Sequence, residues 1–276
     1  MTARLAAELP KARIHSRSRL VFDADGGRTR LAVRDAGAPL RVMRGFELAD
    51  GRLIVQIISA APGFFSGDRY EIEIEVRRGA RAVVLTPAAA KIHSMPDGGH
   101  ATQSMRAHVG AGASLEIYPT LSIPFPASDF RQEVAISLES DARVGWMDPW
   151  SFGRIDRGEK YAFRRISTRL RIDREGKPLY RDALEVAPEA RSIGGWGSLE
   201  GATHLVNGCW FGACTPWEAE GDLDARLLFG RLGDDGLFAR GLFQNGDAHR
   251  AALDTIRAKA ARAWGLAEIP LTQFTL

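Results

Sequence analysis

Cysteine is scarce in this chain. There are two, Cys209 and Cys214, in "CWFGAC". Their C-x4-C spacing differs from the C-x2-C of zinc ribbons and redox motifs. Long apolar runs are missing as well. No stretch approaches the ~18 residues that span a bilayer. The opening "MTARLAAELPKARIHSRSR" carries basic residues without the apolar core of a signal peptide. Charge of one sign is also lacking in bulk. The net charge of +3 is spread along the chain and forms no basic arm for nucleic acid. Together these absences predict a soluble, reduced, cytoplasmic protein with no membrane and no nucleic-acid partner. Up to residue 186 the chain also lacks helical periodicity. Parallel α/β folds need helices between strands, so that class is excluded.

What is present is β-strand. Apolar residues make up 45% of the chain, enough for a sizeable core, and 26% are charged, consistent with a folded chain. Alternating segments recur: "RLIVQIIS" (52–59), "YEIEIEV" (70–76), "ARAVVLT" (80–86), "SLEIYP" (114–119), "EVAISLE" (133–139) and "RLRIDREGKPLYRDALEV" (169–186). In the last, Gly176 is placed for a hairpin turn. A repeat is visible in "EVRRGARAVVLTP", "AHVGAGASLEIYP" and "ISLESDARVGWMDP". Ala80, Ala113 and Ala142 fall 33 and 29 residues apart, and Pro87, Pro119 and Pro149 fall 32 and 30 apart. Fixed periods of this size indicate stacked units with a shared core. Each Pro is expected to end a strand, because it cannot donate to the ladder. The fold class is therefore mainly β, a β-solenoid or β-helix-like stack of ~30-residue repeats with a C-terminal α-helix.

One domain over 1–276 is expected. Its parts are a repeat core at 38–186, an irregular Gly/Trp-rich segment at 187–245, and a C-terminal helix and tail at 246–276. The helix reads from "GDAHRAALDTIRAKAARAWG" (246–265), with Asp247 as N-cap and Gly265 as stop. Leu253, Ile256, Ala260, Ala263 and Trp264 share one side, expected to pack on the protein's own sheet.

The stretch "APGFFSGDRYE" (61–71) is the most informative loop. It is not a phosphate cradle: it lacks the Walker lysine and precedes a strand, so no helix N-terminus faces an anion. No G-x-S-x-G elbow is present for nucleophilic catalysis, and a trio such as Ser66, Asp68 and His93 can be drawn in most chains this long. Asp129 and Asp148, with Asp68 and Glu159, supply carboxylates near repeat corners for a polysaccharide-cleaving solenoid, which needs two at a set separation. His93, His100 and His108 fall within one repeat, without the spacing of a closed zinc site. Asp68 itself reads as a turn residue whose carboxylate caps nearby N–H groups.

Four further segments, in order, resemble the urease accessory protein UreD (UreH) family. The family's "PGG-x-x-x-GD" loop is met by Gly67 and Asp68, and its "TP-x-A-x-K" corner by Pro87, Ala89 and Lys91. Its "IPF-x-x-S-x-F" segment is met by Pro124, Phe125, Ser128 and Phe130, and its "GR-x-x-x-GE" by Arg154, Gly158 and Glu159. The likeness covers residues 38–186. Phe64 stands where the family has glycine, which is expected to stiffen or fill that corner.

The resemblance implies a non-enzymatic β-helical scaffold that binds apo-urease, UreF and the GTPase UreG. Such a scaffold holds no tight cofactor and has nickel only in transit to the urease active site. It makes Ser66, Gly67, Asp68, Lys91, Arg154 and Glu159 transfer-path or structural-corner residues. Asp68, His93 and Glu159 become weak transient metal ligands, with no fixed metal site and no catalytic residues. Carboxylate and imidazole ligands suit a borderline cation such as Ni²⁺. The alternative reading is a β-solenoid enzyme acting on a carbohydrate or small molecule through paired carboxylates. A third is a stand-alone binding module using the Trp-rich segment 191–217.

Overall fold

The structure, a computed structural model, describes residues 13–190, 193, 198–212, 215, 227–269 and 274. Two sheets face each other. The first, of seven strands, contains β1 (His15–Asp25), β2 (Arg28–Ala36), β6 (Arg69–Val76), β9 (Ala101–Val109), β12 (Asp129–Leu138), β14 (Arg165–Arg174) and β15 (Lys177–Val186). The second contains β3 (Leu40–Val42), β4 (Phe46–Glu47), β5 (Leu53–Ser59), β7 (Arg81–Thr86), β8 (Ala90–Ile92), β10 (Ser114–Pro119), β11 (Ser122–Pro124), β13 (Arg143–Ser151), β16 (His204–Phe211), β17 (Leu227–Leu232) and β18 (Gly236–Phe243). A short 3-10 turn at Ile155–Arg157 aside, one helix among the described residues, α1 (Gly246–Ala263), follows.

The chain winds between the sheets as a solenoid. Strands β1, β6, β9, β12 and β14 stack in parallel, as do β5, β7, β10 and β13, with short β8 and β11 on a third side. Alternation explains the stack. In β6, Tyr70, Ile72, Ile74 and Val76 point inward while Arg69 and Glu73 stay exposed. Register then places Ile72, Ile74 and Val76 beside Met105, Ala107 and Val109 of β9. Val134, Ile136 and Leu138 of β12 continue the same rows. Outside, Glu71 and Glu75 pair with Arg17 and Arg19 of β1.

The alanine repeat has a physical basis. The backbone N–H groups of Ala80, Ala113 and Ala142 donate to the carbonyls of Arg77, Gly110 and Glu139, closing three equivalent turns. All three methyls are buried at the stacked corner. Glu175 and Gly176, both left-handed, form the turn between β14 and β15. The prolines obey the expectation less uniformly. Pro87 follows β7 and Pro119 ends β10, but Pro149 lies inside β13. It is tolerated because β10 pairs β13 only as far as Trp146 and β11 resumes at Trp150, leaving no ladder partner on that side for its missing N–H.

Segment 187–245, expected to be irregular, instead carries β16, β17 and β18, which extend the second sheet antiparallel from β13. Glycines on both sides of the β13–β16 pair allow close approach: a Cβ on Gly208 of β16 or Gly145 of β13 would strike the Trp210 ring. Strands β1 and β2 likewise extend the first sheet ahead of residue 38. Cys214, and 191–192, 194–197, 213–214 and 216–226 of the Trp-rich stretch, lie outside the described residues; Cys209 is a buried free thiol.

Helix α1 covers the outer face of the second sheet. Its N-cap is Asn245, whose side chain accepts from the Ala248 N–H, and not Asp247, which sits in the first turn. Asn245 is extended and so can turn its side chain back onto the helix, as capping requires. At the other end Gly265 is left-handed, and the N–H groups of Gly265 and Leu266 donate to Arg262 and Ala261, a Schellman closure. Leu253, Ile256 and Ala260 pack with Val206, Trp210, Leu237, Ala239 and Phe243 of the sheet.

Candidate functional site

The 61–68 loop is fixed by close backbone approach. Gly63 has φ +154°, and a Cβ there would lie 2.2 Å from the Lys91 carbonyl, so no larger residue fits. The neighbouring Phe64 N–H donates to that carbonyl (2.8 Å), and the His93 N–H donates to the Phe64 carbonyl (2.9 Å). The Phe64 ring fills the corner against Tyr70 and Phe130, with centroids 4.7 and 4.9 Å away.

Asp68 is 1% exposed. Its two carboxylate oxygens accept from the backbone N–H groups of Ile14 (2.8 Å) and Phe65 (2.9 Å). The side chain therefore closes the turn and anchors the chain leading into β1. Gly67, with φ +84°, donates to the His100 carbonyl, and Ser66 packs against Gly99.

The remaining candidates line one side of the stack. Phe65 stacks on His93 (4.3 Å), His93 meets Phe125 edge-on (4.8 Å), and the Arg154 guanidinium lies 4.1 Å over Phe125. Arg154 forks onto Glu159 at 2.5 and 2.6 Å. His93 Nε2 is 3.2 Å from the Pro62 carbonyl. Asp68 is thus held by backbone and Glu159 by Arg154, so His93 stands without a second of its proposed ligands. His108 pairs with Glu139, away from His93. Among the described residues no three His, Cys, Asp or Glu side chains are grouped to hold a metal.

A cavity of about 400 Å³ lies between the sheets, lined by the 61–64 and 86–91 loops and by inward side chains of β6, β9, β12 and β13. Lys91 belongs to its lining; Asp68 and Glu159 do not. Most of the wall is apolar. The exceptions include a row crossing three strands, in which Tyr70 and Gln132 each lie in register with Gln103. Facing it is Asp148 of β13, the one carboxylate among the described lining residues.

Asp148 is buried in mid-strand, not at a repeat corner, and accepts from Gln132 Nε2 at 3.3 Å. Burial pushes its carboxyl up to about 6, opposed by the nearby Trp150 and Gln132 side chains and aided by Asp182. Burial likewise raises the Tyr70 hydroxyl to about 12. Sequence reading missed this row, although alternation carried the signal. Gln132 is in step with Val134, Ile136 and Leu138, and Gln103 with Met105, Ala107 and Val109. Polar residues on a core face are the informative exceptions. The exposed arginines of the first sheet are largely self-neutralised: Arg169 meets Glu133, and Arg171 and Arg181 share Asp173.

A sequence profile of UreD, the urease accessory protein, matches residues 15–273. The chain belongs to the UreD family. Relatives share its sequence over most of its length. The urease accessory protein UreD 1 of Synechococcus sp. (strain JA-3-3Ab) is 37% identical across 71% of this chain and 73% of its own. UreD of Deinococcus radiodurans is 34% identical across 70% and 69%. UreH of Helicobacter pylori (strain P12) is 27% identical across 61% and 63%. The family assignment also gives a setting for the described elements: the matched region takes in β1 and β2, all of the solenoid, and α1. No helix among the described residues is long and apolar enough to cross a membrane.

Proposed function

We propose that this protein is a urease maturation factor that binds apo-urease together with UreF and the GTPase UreG, and that it conducts nickel through its interior. Nickel is cargo in this reading and not a resident cofactor. Family membership supports the accessory role. The observation that carries the transfer step is Asp148, a single carboxylate in an otherwise largely apolar cavity, bordered by Gln132, Gln103 and Tyr70.

One carboxylate with amide and hydroxyl neighbours offers oxygen donors to a divalent ion without enclosing it. A site of three or four strong ligands would hold the ion as a structural metal. A carrier must let go, so sparse ligation is the appropriate chemistry. Desolvation within the apolar wall strengthens the attraction between carboxylate and cation relative to bulk water. Asp68 and the Arg154–Glu159 pair hold the corners that shape this interior.

The paired-carboxylate enzyme reading asks for two acids about 5–9.5 Å apart in one cleft. Among the described residues the cavity lining supplies one.

The test is co-purification of the chain with UreF, UreG and apo-urease from one source, with stoichiometry by light scattering. A stable complex that activates urease with added nickel is the expected result. Failure to associate with apo-urease, with or without UreF and UreG, would overturn the reading.

A further inference from the structure

Two histidines outside the cavity sit where the C-terminal helix meets the second sheet. His204 opens β16 and His249 lies in the first turn of α1. Their rings stack with centroids 5.1 Å apart and planes at 28°, and both are buried, at 8% and 3% exposure. The edge of Phe243 from β18 closes on His249 at 5.5 Å.

Burial, not hydrogen bonding, holds both rings toward the neutral form. Thr203 Oγ1 lies 2.8 Å from His204 Nδ1 and donates to the Phe243 carbonyl at 3.2 Å. His249 Nε2–H donates to the Leu205 carbonyl at 3.2 Å. A neutral His249 thus spends its one proton on that carbonyl. A second proton on either would put a charge into a buried, largely apolar contact. A charge on both would set two cations face to face.

We propose that the His204–His249 stack is an acid-sensitive latch, holding α1 on the sheet while both rings are neutral and releasing the helix end on protonation. Release would uncover the apolar face formed by Val206, Leu237, Ala239 and Phe243, which α1 now covers. The charged groups around the latch oppose release only weakly. Asp156, from the turn after β13, favours the charged form of His204 but is outweighed by burial. On α1 itself, Asp247 and Arg250 are exposed and of opposite sign. On β16 the facing titratable group is His204, which disfavours a charge on His249.

Burial, then the neighbouring His204, pushes His249 down to about 4, and burial lowers His204 too. The sign follows. A released helix binds protons near the usual histidine value of 6.5, so docking is complete above that pH and is lost as pH falls toward 4. For His249 alone the docking equilibrium is expected to weaken ~30-fold between pH 8 and pH 5.

The test is hydrogen exchange of the α1 amides in the full chain at pH 8 and pH 5, corrected for intrinsic exchange. Wild type and His249→Phe are compared, with strands β6 and β9 as internal reference. Protection of α1 falling by at least that factor in wild type, and by clearly less in the variant, where His204 alone still titrates, while the reference strands hold, is the expected result. Equal pH dependence in both proteins, or none in wild type, would overturn the proposal. If His249→Phe does not fold, His204→Phe removes the partner charge and is expected to shrink the same loss, and NMR titration of the wild-type imidazoles reads the latch directly. Imidazoles that titrate near 6.5 with α1 still protected would equally overturn it.

Discussion

Single side chains divide here into those that hold a turn and those that line the interior, and the two kinds make opposite demands. Asp68, itself buried, gives both oxygens to part-buried backbone N–H groups. Removing it leaves two donors without acceptors, so Asp68→Ala is expected to cost about 2–4 kcal/mol in urea unfolding. Urease activation per folded molecule should be unchanged. Loss of activation at full stability would instead place Asp68 on the transfer route. Asp148 behaves in the other sense. Its carboxyl is raised by burial to about 6, so the folded chain holds this proton more tightly than the unfolded chain. Stability contributed at this residue therefore falls as pH rises from about 4 to about 6. Asp148→Asn is expected to be more stable than wild type above pH 6, by about 3 kcal/mol, and to lose that part of the pH slope. Thermal denaturation across pH 4–8 would check it.

At the scale of elements, the solenoid strands were legible because each buries one face. The alternation in "YEIEIEV" fixes both the strand and its inward side. The alanine period was legible because a β-turn at a stacked corner leaves room for a methyl and little more. Strands β16 to β18 were not, because their glycines and tryptophan obscure the alternation: Gly208, with Gly145 of the neighbouring β13, serves to admit Trp210, a long-range reason invisible in a local window. The helix was legible from its apolar stripe, but its start was misplaced by two residues, since Asp247 and Asn245 are both good caps and only the extended backbone at Asn245 chooses between them. Asn245→Ala should destabilise the helix end by about 1 kcal/mol, readable as faster exchange of its first-turn amides. Beneath the tail that follows α1, Arg52 is fully buried and bonds to Asp50, Glu116 and the Ala267 carbonyl, while Tyr118 donates to Glu116. Glu116→Gln leaves the buried guanidinium with Asp50 as its remaining counter-charge. The expected loss is therefore smaller than the about 3–5 kcal/mol of a buried charge left wholly unpaired, and denaturant unfolding of the variant would measure it.

Over the whole molecule, two sheets enclose a cavity, and a helix and tail close the outer face of one of them. The order of short motifs carried the family assignment, and stacking explains why: the GD loop, the TP corner, the IPF segment and the GR–GE turn recur along one side of successive coils. The interior proposed for transfer was not legible. It is assembled from β6, β9, β12 and β13, residues 70 to 148, whose polar members become neighbours only through parallel register. In the proposed function, nickel passes this interior at Asp148. Nickel-dependent activation of apo-urease by the purified accessory complex, with wild type and Asp148→Asn at equal complex concentration, is the deciding measurement. The variant is expected to assemble normally and to lose most of the activation. Full activation by an assembled Asp148→Asn complex would contradict it.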